Sequence, residues 1–110
     1  MGRKKMTLEL LALVAERFKA LGEPARLSIL SQLRDGEASV SDLIEATGMG
    51  QANISKHLQH LHALGFVARR KDGLFVYYAL ADERVFQLCD LMCGRIADET
   101  RQRGRALAGR

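Results

Sequence analysis

Apolar residues recur at helical spacing in five stretches of the chain. The first stretch, residues 8–21, places Leu11, Val14 and Phe18 on one helical face. Leu8, Leu10 and Leu13 widen the apolar surface beyond that face. A helix that is apolar on more than one side usually packs against more than its own domain. We therefore expect the first helix to contact a partner.

The second and third helices are predicted from their start signals. Pro24, which follows Glu23, suits the first position of a helix, where its missing N–H has no intrahelical partner. The spacing of Leu27, Leu30 and Leu33 predicts the inner face, with Ile29 to one side. Ser39 and Asp42 form a capping-box pattern that begins a short third helix ending at Gly48.

The fourth helix, residues 51–65, has one apolar edge made by Ile54, Leu58 and Leu61. At about 100° per residue, the opposite side carries Ala52, Lys56, Gln59 and Ala63. Asn53, Ser55 and His60 lie between the two. His57 lies beside the buried edge, and we expect it to be a structural histidine rather than a reader of bases.

A hairpin and a last helix complete the pattern. Asp72-Gly73 separates two β-prone runs, which is a strong hairpin signal, and Arg69, Arg70 and Lys71 lead into its tip. Tyr77 and Tyr78 alternate sides, so one is expected in the core and the other at the surface or an interface. The last helix is expected to follow Asp82 as its N-cap and to end near residue 103, before Gly104.

Length and composition predict one domain, residues 7–104, between basic tails at 1–6 and 105–110. The 110 residues carry a net charge of +4, but the two ends supply +3 and +4, so residues 6–100 carry −3. The chain contains neither a long uninterrupted apolar run nor a signal-peptide pattern, so we expect no membrane contact and a cytoplasmic location.

Two capped helices joined by residues 47–50 suggest a helix-turn-helix, and the basic hairpin behind them makes it a winged one. The predicted fold class is therefore mostly α with a β-hairpin wing. A helix fits the major groove of B-DNA, where small polar side chains reach base edges and cations meet phosphates. The candidate DNA-contacting residues are Gln51, Ala52, Asn53, Ser55, Lys56, Gln59 and His60 on the helix, and Arg69, Arg70 and Lys71 on the wing.

Three motifs resemble the ArsR/SmtB family of repressors. Residues 18–30, with the sequence FKALGEPARLSIL, resemble the opening motif of that family. Residues 51–61, with the sequence QANISKHLQHL, resemble its recognition helix. Its wing resembles GFVARRKDG at 65–73 and VYYAL at 76–80. The likeness covers roughly residues 8–96, with Ala25 where the family often has threonine.

The resemblance implies a homodimer joined through the first and last helices. The expected interface residues are Leu8, Leu11, Val85, Cys89, Met92 and Ile96. The resemblance also implies repression of transcription at an imperfect palindrome in double-stranded DNA, with release when an inducer binds. Half-sites would lie about one helical turn, or a multiple of it, apart.

Two metal sites known in the family are missing from this sequence. Ser39 and Ser41 stand where thiophilic sensors carry cysteines, and hydroxyls do not replace thiolates for soft metals. The last helix contains no histidine, so the zinc ligand set is absent.

Cys89 and Cys93 remain, one turn apart on the last helix. Three interpretations stay open: a site for arsenic(III) or another soft metal completed by a further ligand, a redox pair that reacts with oxidants or sulfide, or two small buried side chains. We favour metalloid or soft-metal binding over oxidation between the two sensing interpretations.

Two other classes of function are weighed against a DNA-binding repressor. One alternative is a winged-helix repressor with no metal or thiol sensing. Another is a winged-helix protein-interaction module without DNA binding, which would account for the slightly acidic body. An enzyme is not expected, because the sequence has no phosphate-binding glycine motif and no nucleophile–base set.

Overall fold

A computed structural model describes the backbone of residues 5–108 and the side chains of residues 5–104. Arg3, Lys4, Arg105 and Arg110 of the predicted basic tails lie outside the described side chains. The elements in chain order are α1 (Leu8–Leu21), α2 (Pro24–Leu33), β1 (Ala38–Ser39), α3 (Val40–Thr47), α4 (Gln51–Ala63), β2 (Val67–Asp72), β3 (Phe75–Leu80) and α5 (Arg84–Ala108). The predicted five helices and hairpin are confirmed.

The core lies between α2, α3, α4 and the sheet. Its fully buried side chains are Ile29, Leu30, Leu43, Ile54, Leu58 and Leu61. The three predicted inward residues of α4 are thus confirmed. The prediction for α2 is wrong at one position, because Leu27 is partly exposed while Ile29 has no exposed area. Ile29 and Leu33 are one turn apart, so the buried face is rotated toward Ile29.

The local signals that begin the helices form the expected contacts. The Asp42 N–H donates to Ser39 Oγ at 3.1 Å, and the Ser39 N–H donates to Asp42 Oδ2 at 3.0 Å, which completes the capping box. Asp82 lies two residues before α5, and its carboxylate accepts the Arg84 N–H at 2.9 Å. The Arg84 side chain also bonds that carboxylate and lowers the pKa of Asp82 to about 2.

The wing belongs to a three-stranded antiparallel sheet of order β1-β3-β2. The pairing of Ala38 with Tyr78 was not predicted, because a two-residue strand has no detectable periodicity. Asp72 pairs with Phe75, so the tip is formed by Gly73 and Leu74 rather than by Asp72 and Gly73. Gly73 has φ of 60°, which suits the first position of a type II′ turn.

Helices α1 and α5 extend away from the core. The radius of gyration is 17.6 Å, against about 13 Å for a compact domain of this length. Ala20 is the buried residue of α1. Helix α5 continues through Gly104 to Ala108, so the predicted end near residue 103 is wrong. A single glycine in a helix costs only about 1 kcal/mol, which the surrounding helix formers offset.

None of the helices described is both long and apolar enough to cross a membrane.

Candidate nucleic-acid interface

The turn between α3 and α4 is fixed by Thr47 and two glycines. The Thr47 hydroxyl donates to the Leu43 carbonyl oxygen at 2.6 Å and accepts the Met49 N–H at 3.3 Å. Gly48 adopts φ of 74°, a left-handed conformation that ends α3 and favours glycine. Gly50 precedes α4 and has no side chain to cap the N–H groups of its first turn. These groups therefore remain open to an anion.

The outward face of α4 is exposed along its length. The predicted contact residues Gln51, Ala52, Asn53, Lys56, Gln59 and His60 are exposed, and Ser55 is half-buried. The chain contains no acidic residue between Ala46 and Lys71. This face therefore combines polar groups with positive charge and lacks the carboxylates that would repel phosphates.

His57 is a buried structural residue, as predicted. Its Nδ1 accepts a hydrogen bond from Arg26 Nε at 3.2 Å, and its Nε2 lies 3.7 Å from Glu23 Oε1. Arg26 also donates to the Ala20 carbonyl at 3.4 Å and lies 3.3 Å from Glu23. The cluster joins the end of α1 and the start of α2 to the inner side of α4.

The cations of the wing fall on two faces of β2. Arg70 pairs with Tyr77 across the strands, whereas Arg69 and Lys71 project from the opposite face. Arg70 Nη2 lies 2.6 Å from Glu37 Oε1, and its guanidinium lies 4.9 Å from the Tyr77 ring centroid. The hydrogen bond from Arg70 lowers the pKa of Glu37.

Because of these ion pairs, Arg70 is less suited to contact a phosphate than its sequence position suggests. Its charge is already opposed by Glu37 and, at 3.5 Å, by Asp72. Within the described residues, Arg69 and Lys71 form no ion pair. The available charge of the wing therefore comes from these two residues. Sequence alone missed Glu37, because it lies far from Arg70 in the chain.

Cys89 and Cys93 differ in exposure. Cys89 is half-buried against the core, whereas Cys93 is exposed. Burial raises the pKa of the Cys89 thiol, as do Cys93 and Asp90, while Arg34 opposes the shift. Among the described residues, no group of three or more His, Cys, Asp or Glu side chains is placed to hold a metal ion.

The residue after Cys89 attaches α5 to the end of α2. Both oxygens of Asp90 accept hydrogen bonds from Arg34, at 2.9 and 2.8 Å. The Arg34 guanidinium also lies 4.7 Å from the ring centroid of the buried Phe86. These contacts fix the first two turns of α5 beside the core.

The predicted interface residues are not all on the surface. Leu8, Leu11, Met92 and Ile96 are exposed, but Val85 is only 4% exposed and belongs to the core. Val85 lies on the same side of α5 as Met92, but in the first turn, which packs on the domain. The exposed apolar surface of α5 therefore begins at Leu88 and includes Leu91, which sequence analysis did not assign.

The fold and this surface define a winged helix-turn-helix protein. Residues 23–69 match the family model described as "Bacterial regulatory protein, arsR family". The chain belongs to the ArsR family of bacterial regulatory proteins. Family and fold are those of DNA-binding transcriptional regulators rather than enzymes.

Individual relatives support this assignment. The chain is 46% identical over 79 residues to the HTH-type transcriptional regulator NmtR of Mycobacterium tuberculosis, covering 72% of this chain and 66% of NmtR. It is 36% identical over 74 residues to a probable mercury resistance operon repressor of Streptomyces lividans, covering 67% of this chain and 59% of that protein. The chain thus spans less than two thirds of these curated relatives.

A solved structure agrees over most of the chain. It is the homodimeric winged helix-turn-helix DNA-binding domain of Mb0332 from Mycobacterium bovis, a possible ArsR-family transcriptional regulator. The TM-score is 0.73 at 38% identity, covering 90% of this chain and 91% of that one.

Two of the three histidines of α4, His57 and His60, lie in contrasting environments and provide a test of the cluster that His57 forms with Arg26 and Glu23. We expect His57→Ala to lower the free energy of unfolding by about 2–3 kcal/mol, because it leaves a cavity and an unpartnered Arg26 Nε. His60→Ala, an exposed change on the same helix, should alter it by less than about 0.5 kcal/mol. Urea denaturation at equal protein concentration measures both. Equal effects of the two substitutions would contradict the structural role of His57.

Proposed function

We propose that this protein is a dimeric transcriptional repressor of the cytoplasm that binds an imperfect palindrome in double-stranded DNA. The observation that carries the proposal is the exposed outward face of α4, which lies in a segment without acidic residues and is followed by a wing with two available cations. That combination fits a polyanion with readable base edges.

The side chains divide into two roles. Asn53, Gln59 and the half-buried Ser55 carry amide and hydroxyl groups suited to hydrogen bonds with base edges in the major groove. Lys56, Arg69 and Lys71 carry charge suited to phosphates. Loss of a side chain that contacts bases should reduce discrimination between DNA sequences. Loss of a side chain that contacts phosphates should reduce affinity for all sequences.

The two faces of the wing give a test that separates available charge from neutralised charge. We expect Arg69→Gln and Lys71→Gln each to flatten the dependence of log K on log salt concentration by about two units, because each substitution removes one cation from both subunits of the proposed dimer. Arg70→Gln should flatten it by less than about half of that, because Glu37 already opposes the charge of Arg70. The measurement is a mobility shift over a salt series, with DNA from upstream of the protein's own gene.

An equal loss of slope in all three variants would contradict the division of the wing into two faces. A folded wild-type protein that retards no DNA at low salt would contradict DNA binding itself, and would favour a protein-interaction module.

The dimer is proposed from the exposed apolar side chains of α1 and α5. These helices expose Leu8, Leu10, Leu11, Leu13, Phe18, Leu88, Leu91, Met92 and Ile96. Such a surface on helices that extend from the core marks an interaction site. The related Mb0332 domain is homodimeric, and a second copy of this chain would supply a surface of the same kind.

A charge placed on this surface should separate the copies. We expect the wild-type protein to sediment at twice its chain mass of 12.2 kDa, and Met92→Glu to shift it toward one chain. Ala97→Glu is the matched control, because it adds the same charge about 140° away on the same helix. Sedimentation equilibrium measures the masses. A dimer that tolerates Met92→Glu but is broken by Ala97→Glu would place the interface on another face.

We further propose that an inducer acts at the thiols of Cys89 and Cys93. Two observations support this: the cysteines lie one turn apart, and one of them is exposed. The two sulfur atoms of one described chain do not complete a soft-metal site, so arsenic(III) or a soft metal would need a further ligand from the partner subunit or solution. The similarity to a probable mercury resistance operon repressor favours a metal over an oxidant.

Removal of both thiols tests this part of the proposal. We expect arsenite, cadmium or polysulfide to weaken operator binding of the wild-type protein by about tenfold, within the usual range of allosteric coupling. The Cys89→Ser, Cys93→Ser double variant should bind DNA equally well and stay bound. The measurement is a mobility shift in the presence of each agent, with the single variants beside it. Release of the double variant, or no release of the wild type by any agent, would contradict thiol sensing.

A further inference from the structure

We infer that Glu37 is a specificity-determining residue, which prevents Arg70 from strengthening the binding of unrelated DNA. The inference rests on the proposed DNA binding and adds a residue that itself contacts no DNA. Glu37 precedes β1 and lies 33 residues before Arg70 in the chain. Its two carboxylate oxygens both accept hydrogen bonds from Arg70, Oε1 from Nη2 at 2.6 Å and Oε2 from Nε at 3.2 Å.

The sheet brings these two distant residues to one face. Arg70 lies opposite Tyr77, and Tyr77 lies opposite Ser39, so the three share a face of adjacent strands. Glu37 is two residues before Ser39 and therefore falls on the same face. The next residue of β3 on this face is Ala79, which is too small to block the contact. The carboxylate thus reaches across β3 to the guanidinium on β2.

The guanidinium of Arg70 is held from three sides. Besides the two bonds from Glu37, it lies 4.9 Å from the ring centroid of Tyr77 and 3.5 Å from the carboxylate of Asp72. A bidentate pair between arginine and a carboxylate fixes orientation as well as opposing charge. The side chains of Arg70 and Glu37 are 53% and 44% exposed, so the fold itself gains little from the pair. Its main effect is on the charge that the wing presents.

The orientation of the wing determines which complexes a free Arg70 would strengthen. Arg70 projects from the face of β2 opposite to that of Arg69 and Lys71. In the proposed operator complex, base contacts of α4 fix the orientation of the domain, and Arg69 and Lys71 meet the phosphates. Arg70 then points away from those phosphates.

On unrelated DNA no base contacts fix the orientation, and binding depends almost entirely on charge. A free Arg70 could then reach a phosphate in the many other poses that the domain adopts. By opposing this charge, Glu37 weakens the non-specific complexes more than the operator complex. Specificity is a difference of affinities, and weakening the wrong complexes increases it as effectively as strengthening the right one.

The test removes the negative charge and retains the shape of the side chain. We expect Glu37→Gln to raise affinity for a duplex of unrelated sequence about 5- to 20-fold at low salt. The dependence of log K on log salt concentration should become steeper by about one to two units on that duplex, because each subunit of the dimer frees one cation. Affinity for the upstream duplex should change by less than about twofold. Mobility shifts of both duplexes over a salt series measure these effects.

Two further variants separate the pair from a general change in charge. Asp35→Asn removes a negative charge two residues from Glu37, and Asp35 is exposed and forms no ion pair within the described residues. It should change neither affinity by more than about twofold. The Glu37→Gln, Arg70→Gln double variant should regain the wild-type affinity and salt slope on unrelated DNA, because the effect acts through Arg70.

The remaining outcomes would overturn the role of Glu37. They are an unchanged affinity of Glu37→Gln for unrelated DNA, an equal gain on both duplexes, a gain that persists in the double variant, or an equal gain in Asp35→Asn. In each case the proposed DNA binding still stands. Failure of the wild type to retard the upstream duplex would instead be a failure of the proposed function.

Discussion

The position of the proposed DNA-binding face depends on the burial of three side chains of α4. Ile54, Leu58 and Leu61 have no exposed area, and together they fix the rotation of the helix about its axis. Truncation of such a side chain to alanine typically costs about 2–5 kcal/mol. The core therefore determines which residues point outward, and the polar face is prepared before any DNA arrives. Preorganisation of this kind reduces the entropic cost of binding.

In the wing, too, burial of one face determines which side chains point outward, and here the faces alternate at every second residue, as in any β-strand. Val67 and Tyr78 lie on the buried face of the sheet, and Arg69 and Lys71 continue that face beyond the body. Arg70 points the other way, where Glu37 and Tyr77 hold it. Three consecutive cations therefore do not act as one patch. An exposed ion pair contributes about 1 kcal/mol or less, so the pair with Glu37 orients Arg70 more than it stabilises the fold.

Sequence was sufficient where the signal is local. The capping box of Ser39 and the apolar edge of α4 depend on residues within a turn or two, and the structure has both. Sequence was insufficient where a contact, a strand or the burial of a side chain depends on residues that are distant in the chain. The partner of Arg70 comes from before β1, β1 itself forms only against Tyr78, and the burial of Val85 follows from where α5 packs. The outward side chains were predicted as a face, but their contacts with DNA remain proposals, since periodicity carries no information about a partner.

Helix α2 provides the physical connection between the thiols and the DNA-binding face in the proposed repressor. At the end of α2, Arg34 forms hydrogen bonds with Asp90, which is next to Cys89. Near its start, Arg26 donates a hydrogen bond to His57 on the inner side of α4. The two arginines are eight residues apart, about 12 Å along a rigid helix. Such a connection transmits a signal only if one element has two arrangements. The contacts of Arg34 with Asp90 and Phe86 hold the first two turns of α5 to the domain, and the ion pair among them is exposed, so α5 is the element that chemistry at Cys89 or Cys93 would displace most readily.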